Sequence, residues 1–241
     1  MMNPLPFLKP RAIGWSMKNL GQGLVDKITG APSRPVQVAA YVREHATQGD
    51  PQDVLATIDR FALEVRWLMN IGPDKGPLIA ELGKRLPHNP RILELGAYCG
   101  YSSIMMASTF GPGSEVVSIE VNQDAVESCR SNVEVAGLSA QISFLHGPSG
   151  EKIADLEGRF DMVFLDHWKD LYKSDLMQIE ERGLIGPGSI VVADNVGDMF
   201  SPDDYLGYVR GCGHYDNESR EAQVEYTNLP DAVEISVYRG T

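Results

Sequence analysis

The chain has 241 residues, 43% of them hydrophobic, and a formal net charge of -12 at pH 7. That length and apolar content predict one domain with a substantial core, and no apolar run approaches the ~18 residues of a membrane span. The acidic balance excludes a protein whose affinity rests on neutralising a phosphate backbone, so nucleic acid is not an expected partner. Cys99, Cys129 and Cys212 are widely separated, with no Cys-x-x-Cys pair. They suggest neither a disulfide framework nor a zinc cluster, and they read as small buried hydrophobes in a reducing, cytoplasmic setting.

Residues 1–33 form a basic N-terminal extension that carries Lys9, Arg11, Lys18 and Lys27 against a lone Asp26. Pro4, Pro6, Lys9 and Pro10 interrupt the apolar core that a signal peptide requires. The domain proper is expected over 34–241. Helical spacing begins near Arg34 and stops at Gly49-Asp50-Pro51. A second helix starts there, with Asp50 as N-cap, Pro51 at the first helical position, and Val54, Leu55, Ile58, Phe61 and Ala62 on its apolar face. An apolar loop from Trp67 to Pro73 leads to a helix from about Asp74 to Leu86.

From Arg91 onward strands and helices alternate, the pattern of a mostly parallel sheet covered on both faces. Strands are expected at Ile92 to Leu95, Glu115 to Ile119, Ile142 to Leu145, Met162 to Leu165 and Ile190 to Ala193. Two more are expected near Ala222 to Tyr226 and at Val233 to Tyr238. The link between the last two is too short for a crossover helix, so they should form an antiparallel hairpin at the sheet edge. The predicted fold is α/β, seven-stranded, with helices on both faces.

In such sheets ligands sit beyond the carboxyl ends of the strands. The first strand runs into Gly96-Ala-Tyr98-Cys-Gly100-Tyr-Ser102. This Gly-x-x-x-Gly spacing lacks both the dinucleotide fingerprint and the P-loop lysine. It suits an adenosyl ligand without pyrophosphate, or an ordinary strand-to-helix turn. Glu120 ends the second strand about 20 residues after Gly100, where an acid meets ribose hydroxyls; a helix N-terminal acid is the alternative.

The fourth strand ends in Asp166-His167-Trp168-Lys169 and the fifth in Asp194-Asn195. Two carboxylates and an amide oxygen at neighbouring strand ends suit Mg²⁺, with waters or substrate in its remaining positions. Singly, each acid fits loop or capping duty; as a set they point to a metal. Lys169 lies within one turn of Asp166, and as a general base it would need a pKa lowered by burial and the ion. Glu225 reads either as a pocket acceptor or as an exposed strand acid.

Placed side by side, Glu94-Leu-Gly-Ala-Tyr-Cys-Gly-Tyr-Ser102, Met162-Val-Phe-Leu-Asp-His-Trp-Lys-Asp170 and Ala193-Asp-Asn-Val196 make the chain from about Arg34 to Gly240 resemble catechol O-methyltransferase. Trp67-Leu-Met-Asn-Ile-Gly72, Asp74-Lys-Gly76 and Val224-Glu-Tyr226 follow in the matching order. The resemblance implies a Rossmann-like class I methyltransferase fold and Mg²⁺-dependent methyl transfer from S-adenosylmethionine to a catechol-type small molecule. By residue, it implies cofactor contacts from Met69, Ile71, Gly96, Tyr98, Ser102, Glu120, Ser149, His167 and Trp168. It further implies a metal site of Asp166, Asp194 and Asn195, a base in Lys169, a hydroxyl acceptor in Glu225 and a ring wall in Trp67. Asn195 and Lys169 would also touch the substrate.

The chain departs from the family at Val121, at Gly150 and in the loop Gly197-Asp-Met-Phe-Ser201, which lacks a proline near the ring. Two other functions share the motifs: a related methyltransferase acting on a modified RNA base hydroxyl, and an S-adenosylmethionine-binding protein without turnover. Oligomeric state, natural substrate and the regiochemistry of methylation are not written in these residues.

Overall fold

The computed structural model describes residues 31–240. The basic extension expected over 1–33 therefore lies outside the described residues, apart from 31–33. Three helices come first: α1 (Arg34–His45), α2 (Pro51–Arg60), continued by a π-helical turn at Phe61–Val65, and α3 (Gly72–Gly83). The α2 start is as expected. Asp50 Oδ1 accepts from the backbone N–H of Gln52 at 3.0 Å and of Asp53 at 3.1 Å, and Pro51 opens the helix. Asp50→Ala should cost about 1 kcal/mol, read by thermal denaturation as a fall of roughly 2–4 °C. The helix expected from Asp74 to Leu86 lies earlier, because Pro73 suits a first turn whose N–H groups have no intrahelical partner.

Then follow β1 (Arg91–Leu95), α4 (Tyr101–Phe110), β2 (Glu115–Glu120), α5 (Gln123–Ala136), β3 (Ile142–His146), α6 (Ser149–Asp155) and β4 (Met162–Leu165). A 3-10 turn at Lys169–Leu171 leads into α7 (Tyr172–Glu181), then β5 (Ile190–Ala193), α8 (Asp203–Gly211), β6 (Tyr215–Gln223) and β7 (Pro230–Tyr238). The seven strands form one sheet in the order β3-β2-β1-β4-β5-β7-β6. The first five are parallel, and β7 and β6 are antiparallel at one edge. This is the Rossmann-like class I fold expected.

Strand alternation divides the core between the two faces. Ile92, Val116, Phe164, Val192 and Ile235 join Val38, Ile58, Ile79, Ile104 and Val133 beneath α1 to α5. Leu93, Leu95, Val163, Leu165 and Val191 join Ile153, Leu176, Ile179 and Val209 beneath α6 to α8. Burial on both sides is why these strands read as continuous apolar runs.

The strand expected near Ala222 to Tyr226 instead spans Tyr215–Gln223. As an edge strand it is mostly exposed and polar, so it carries no apolar run to reveal it. Glu225 consequently sits in the β6–β7 link and is buried, not on an exposed strand face.

Register builds the site. Leu95 pairs with Leu165, and Leu165 with Ala193, so the chain leaves the sheet side by side at Gly96, Asp166 and Asp194. Strand order reverses between β1 and β4, the usual ligand crevice of such sheets. Because β7 runs antiparallel to β5, its first residues return to this same end, bringing Asp231 and the link that carries Glu225. Among the described residues no helix is long and apolar enough to cross a membrane.

Candidate active site

The turn after β1 is pressed against the end of β4. A Cβ on Gly96 would lie 2.8 Å from the Asp166 carbonyl oxygen and 2.9 Å from the His167 nitrogen, and Gly96 has φ +98°. Glu120 holds this turn from β2. Its Oε2 accepts from the N–H of Ala97 at 3.2 Å and of Tyr98 at 3.0 Å, while Oε1 accepts from Asn122 at 2.9 Å. Tyr98, Asn195 and Tyr226 all have positive φ, at 51°, 53° and 56°. Such strain in non-glycine residues clusters where a fold fixes functional side chains.

Around this turn lie the residues expected to meet the cofactor. Ser102 is buried at the start of α4, Ile71 is buried just before α3, and Ser149 is buried at the start of α6. Met69 and Trp168 are exposed, Trp168 by 72% with its indole N–H donating to Asp170 at 3.2 Å. His167 Nε2 lies 2.9 Å from Asp175 Oδ2, and its ring stacks on Tyr172. Burial lowers the His167 pKa against the opposing pull of Asp175, which favours a neutral ring. Donation from Nε2 to Asp175 then leaves Nδ1 an acceptor, and Nδ1 is buried with no partner. That unsatisfied atom fits a polar ligand group in the crevice.

The expected metal and base residues converge one strand further along. Lys169 Nζ donates to the Tyr172 hydroxyl at 2.6 Å, to Asn195 Oδ1 at 3.1 Å and to Asp166 Oδ1 at 3.3 Å. Tyr172 in turn donates to the Asp194 carbonyl at 3.1 Å. Asp194 Oδ2 and Glu225 Oε2 are buried without partners. Burial pushes the Asp166 carboxyl up to about 8, with Lys169 opposing and Asp194 and Glu225 adding to the rise. Burial and the charge of Asp194 likewise raise Glu225. Crowded, partly unsatisfied oxygens that repel one another are a donor set suited to a hard divalent cation.

Two buried residues of this cluster carried no expectation. Lys75 Nζ bonds Asp194 Oδ1 at 2.6 Å, Glu225 Oε1 at 2.6 Å and Asp231 Oδ2 at 3.0 Å. Burial alone would lower the Lys75 pKa, but the three carboxylates more than offset it and hold the ammonium above the ordinary lysine value. One signal was available: Lys75 shares helical spacing with the buried Ile79 and Leu82, which places a lysine on the apolar stripe of α3. Asp231 had no such signal, since acids at strand starts are common.

At the rim, the Trp67 indole donates to the Glu225 carbonyl at 2.8 Å. Trp67 and Phe200 pack against Met199, Val224 and Leu229. The Phe200 ring centre is 6.0 Å from Lys169 Nζ, so the loop 197–201 reaches Lys169.

Residues 44–205 match the family model described as O-methyltransferase. The chain is 36% identical over 241 residues to catechol O-methyltransferase of Mus musculus, covering 95% of this chain and 90% of the relative. It is 38% identical over 213 residues to the Bos taurus catechol O-methyltransferase, covering 86% of this chain and 78% of that one. The fold is shared with an O-methyltransferase from Bacillus cereus solved in complex with SAH, at TM-score 0.65 and 19% identity over 78% of this chain and 90% of that one. With motif order, sheet topology and sequence identity in agreement, the chain belongs to the O-methyltransferase family and is a catechol O-methyltransferase-like, S-adenosylmethionine-dependent class I O-methyltransferase.

Proposed function

We propose that this enzyme transfers the methyl group of S-adenosylmethionine to one hydroxyl of a catechol-type small molecule in a Mg²⁺-dependent reaction, giving a methoxyphenol and S-adenosylhomocysteine. The observation that carries the reading is the convergence of Asp166, Asn195 and Lys169 beside the unpartnered Asp194 Oδ2 and Glu225 Oε2. The two catechol O-methyltransferases at 36% and 38% identity support the acceptor class.

Asp166, Asp194 and Asn195 are the residues that would hold Mg²⁺, which when bound supplies the Lewis acidity that makes nearby hydroxyls more acidic. Lys169, in its neutral amine form, accepts the proton of the reacting hydroxyl at Nζ, and the Tyr172 hydroxyl holds the amine in place. Glu225 Oε2 accepts a hydrogen bond from the second hydroxyl. The freed oxygen then attacks the sulfonium methyl carbon as the carbon–sulfur bond breaks, its electron pair going to sulfur. Anion and cation neutralise one another in that step, so alignment and water exclusion are the protein's contribution. Trp67 and Phe200 wall the ring. Glu120, Tyr98, Gly96, Ser102, Met69, Ile71, Ser149, His167 and Trp168 seat the donor. In this reading 34–241 is the catalytic domain, 1–33 is a basic extension outside it, and the working compartment is the reducing cytoplasm.

The test is methylation of simple catechol, followed by chromatography of the methoxyphenol. Activity should vanish in EDTA and return with Mg²⁺, and phenol, which lacks the second hydroxyl, should react far more slowly. Turnover that survives chelation overturns the metal assignment. Cofactor-induced thermal stabilisation without methylation of any catechol overturns the acceptor assignment.

A further inference from the structure

Lys75, Asp194, Asn195, Glu225 and Asp231 are all buried, with relative exposures of 3%, 0%, 1%, 3% and 5%. Carboxylate oxygens of Asp194, Glu225 and Asp231 lie within 4.8 Å of one another, a spacing that could itself hold a metal ion. The Lys75 ammonium already bonds all three. It spends one oxygen each of Asp194 and Glu225, namely Oδ1 and Oε1, and the other two are the unpartnered ones.

The same cluster decides which end of the Asn195 amide faces the crevice. Its Nδ2 donates to Glu225 Oε1 at 3.1 Å and Asp231 Oδ2 at 2.9 Å, and its Oδ1 accepts from Lys169 at 3.1 Å. Amide nitrogen and oxygen are normally assigned from the surrounding hydrogen bonds. Here the surroundings favour one orientation, because Nδ2 faces two carboxylate oxygens, which accept, and Oδ1 faces Lys169 Nζ, which donates. Asp231 is itself held from two sides, with Oδ2 taken by Lys75 and Asn195 and Oδ1 accepting from the Gly197 N–H at 3.2 Å.

We propose that Lys75 and Asp231 are positioning residues. Lys75 is an internal cation that occupies the three-carboxylate pocket and leaves one oxygen each of Asp194 and Glu225 free, and Asp231 locks the Asn195 amide with its oxygen toward Lys169. Neither residue touches the reacting groups. The inference rests on the reading of Asp166, Asp194 and Asn195 as a divalent-cation site.

The experiment measures Mn²⁺ binding to the full chain by electron paramagnetic resonance, without substrate, alongside cofactor affinity by calorimetry. Asp231→Asn replaces an acceptor with a donor facing Lys75 or Gly197 and frees the Asn195 amide to turn. Mn²⁺ affinity should fall by about 10–100-fold, with cofactor affinity unchanged. Adding Asn195→Asp should restore most of the loss, because a carboxylate at that position presents oxygen whichever way it turns; a merely structural defect would not be rescued. Lys75→Met empties the pocket, and bound Mn²⁺ should rise from one to two per chain; this variant decides the matter should Asp231→Asn fail to fold. Wild-type Mn²⁺ affinity in Asp231→Asn, or unchanged affinity and stoichiometry in Lys75→Met, overturns the inference. Absence of Mn²⁺ binding to the wild type instead overturns the metal reading beneath it.

Discussion

Lys169→Met is expected to lower kcat for catechol methylation by about 10²–10⁴-fold, the range for loss of a positioned general base. The Michaelis constant for S-adenosylmethionine should stay within about threefold, since no step of donor binding requires this amine. The local geometry explains the size of the effect. The Lys169 amine is anchored by the Tyr172 hydroxyl at 2.6 Å and lies within hydrogen-bond reach of Asp166 and Asn195, which fixes its position in the crevice. Tyr172 cannot substitute, because burial and the charges of Asp166 and Asp194 raise its pKa well above the ordinary tyrosine value. Initial-rate kinetics at saturating Mg²⁺ test this directly. A kcat within about threefold of wild type would remove Lys169 as the proton acceptor.

Gly96→Ala is expected to damage both stability and turnover. A methyl group there meets backbone atoms of Asp166 and His167 at 2.8 to 2.9 Å, and the position has φ +98°. Backbone cannot give way as the tip of a flexible side chain can. The end of β4 must move, and Asp166 moves with it relative to Asn195 on the neighbouring strand end. Overpacking and left-handed strain together should cost about 2–5 kcal/mol. Gly188→Ala separates the two causes, since Gly188 has φ +94° with nothing within 4 Å of its Cβ position. That variant should lose only the backbone part, about 1–2 kcal/mol, and keep full activity. Urea denaturation with parallel assays compares the pair. Equal losses in both would show that the close approach of the two loops does not matter.

The five parallel strands were legible because each carries an apolar run, buried on both faces in β1, β2, β4 and β5 and mainly on one in the edge strand β3, and the residues that end them were legible for the same reason. Asp166 and Asp194 stand out only because Met162 to Leu165 and Ile190 to Ala193 stop there. Where a strand carries no apolar run, the reading failed. Tyr215–Gln223 is polar along nearly its whole length, so its bounds came out wrong, and the alternative of Glu225 as an exposed strand acid falls with them, since Glu225 is buried in the link that follows.

The sequence by itself determined the fold class, the glycine turn after β1, and the identity of the acids, amide and lysine at the strand ends, because these depend on local pattern and on motif order. Only the tertiary structure decided how they are supported. Lys75 meets Asp194, Glu225 and Asp231 across 119, 150 and 156 residues of chain. Those meetings follow from one topological fact: β7 runs antiparallel to β5, so its first residues return to the end of the sheet where the parallel strands finish. No periodicity in the chain records that return. A lysine on the apolar stripe of α3 was its single trace, and its partners became visible only once the sheet had closed around it.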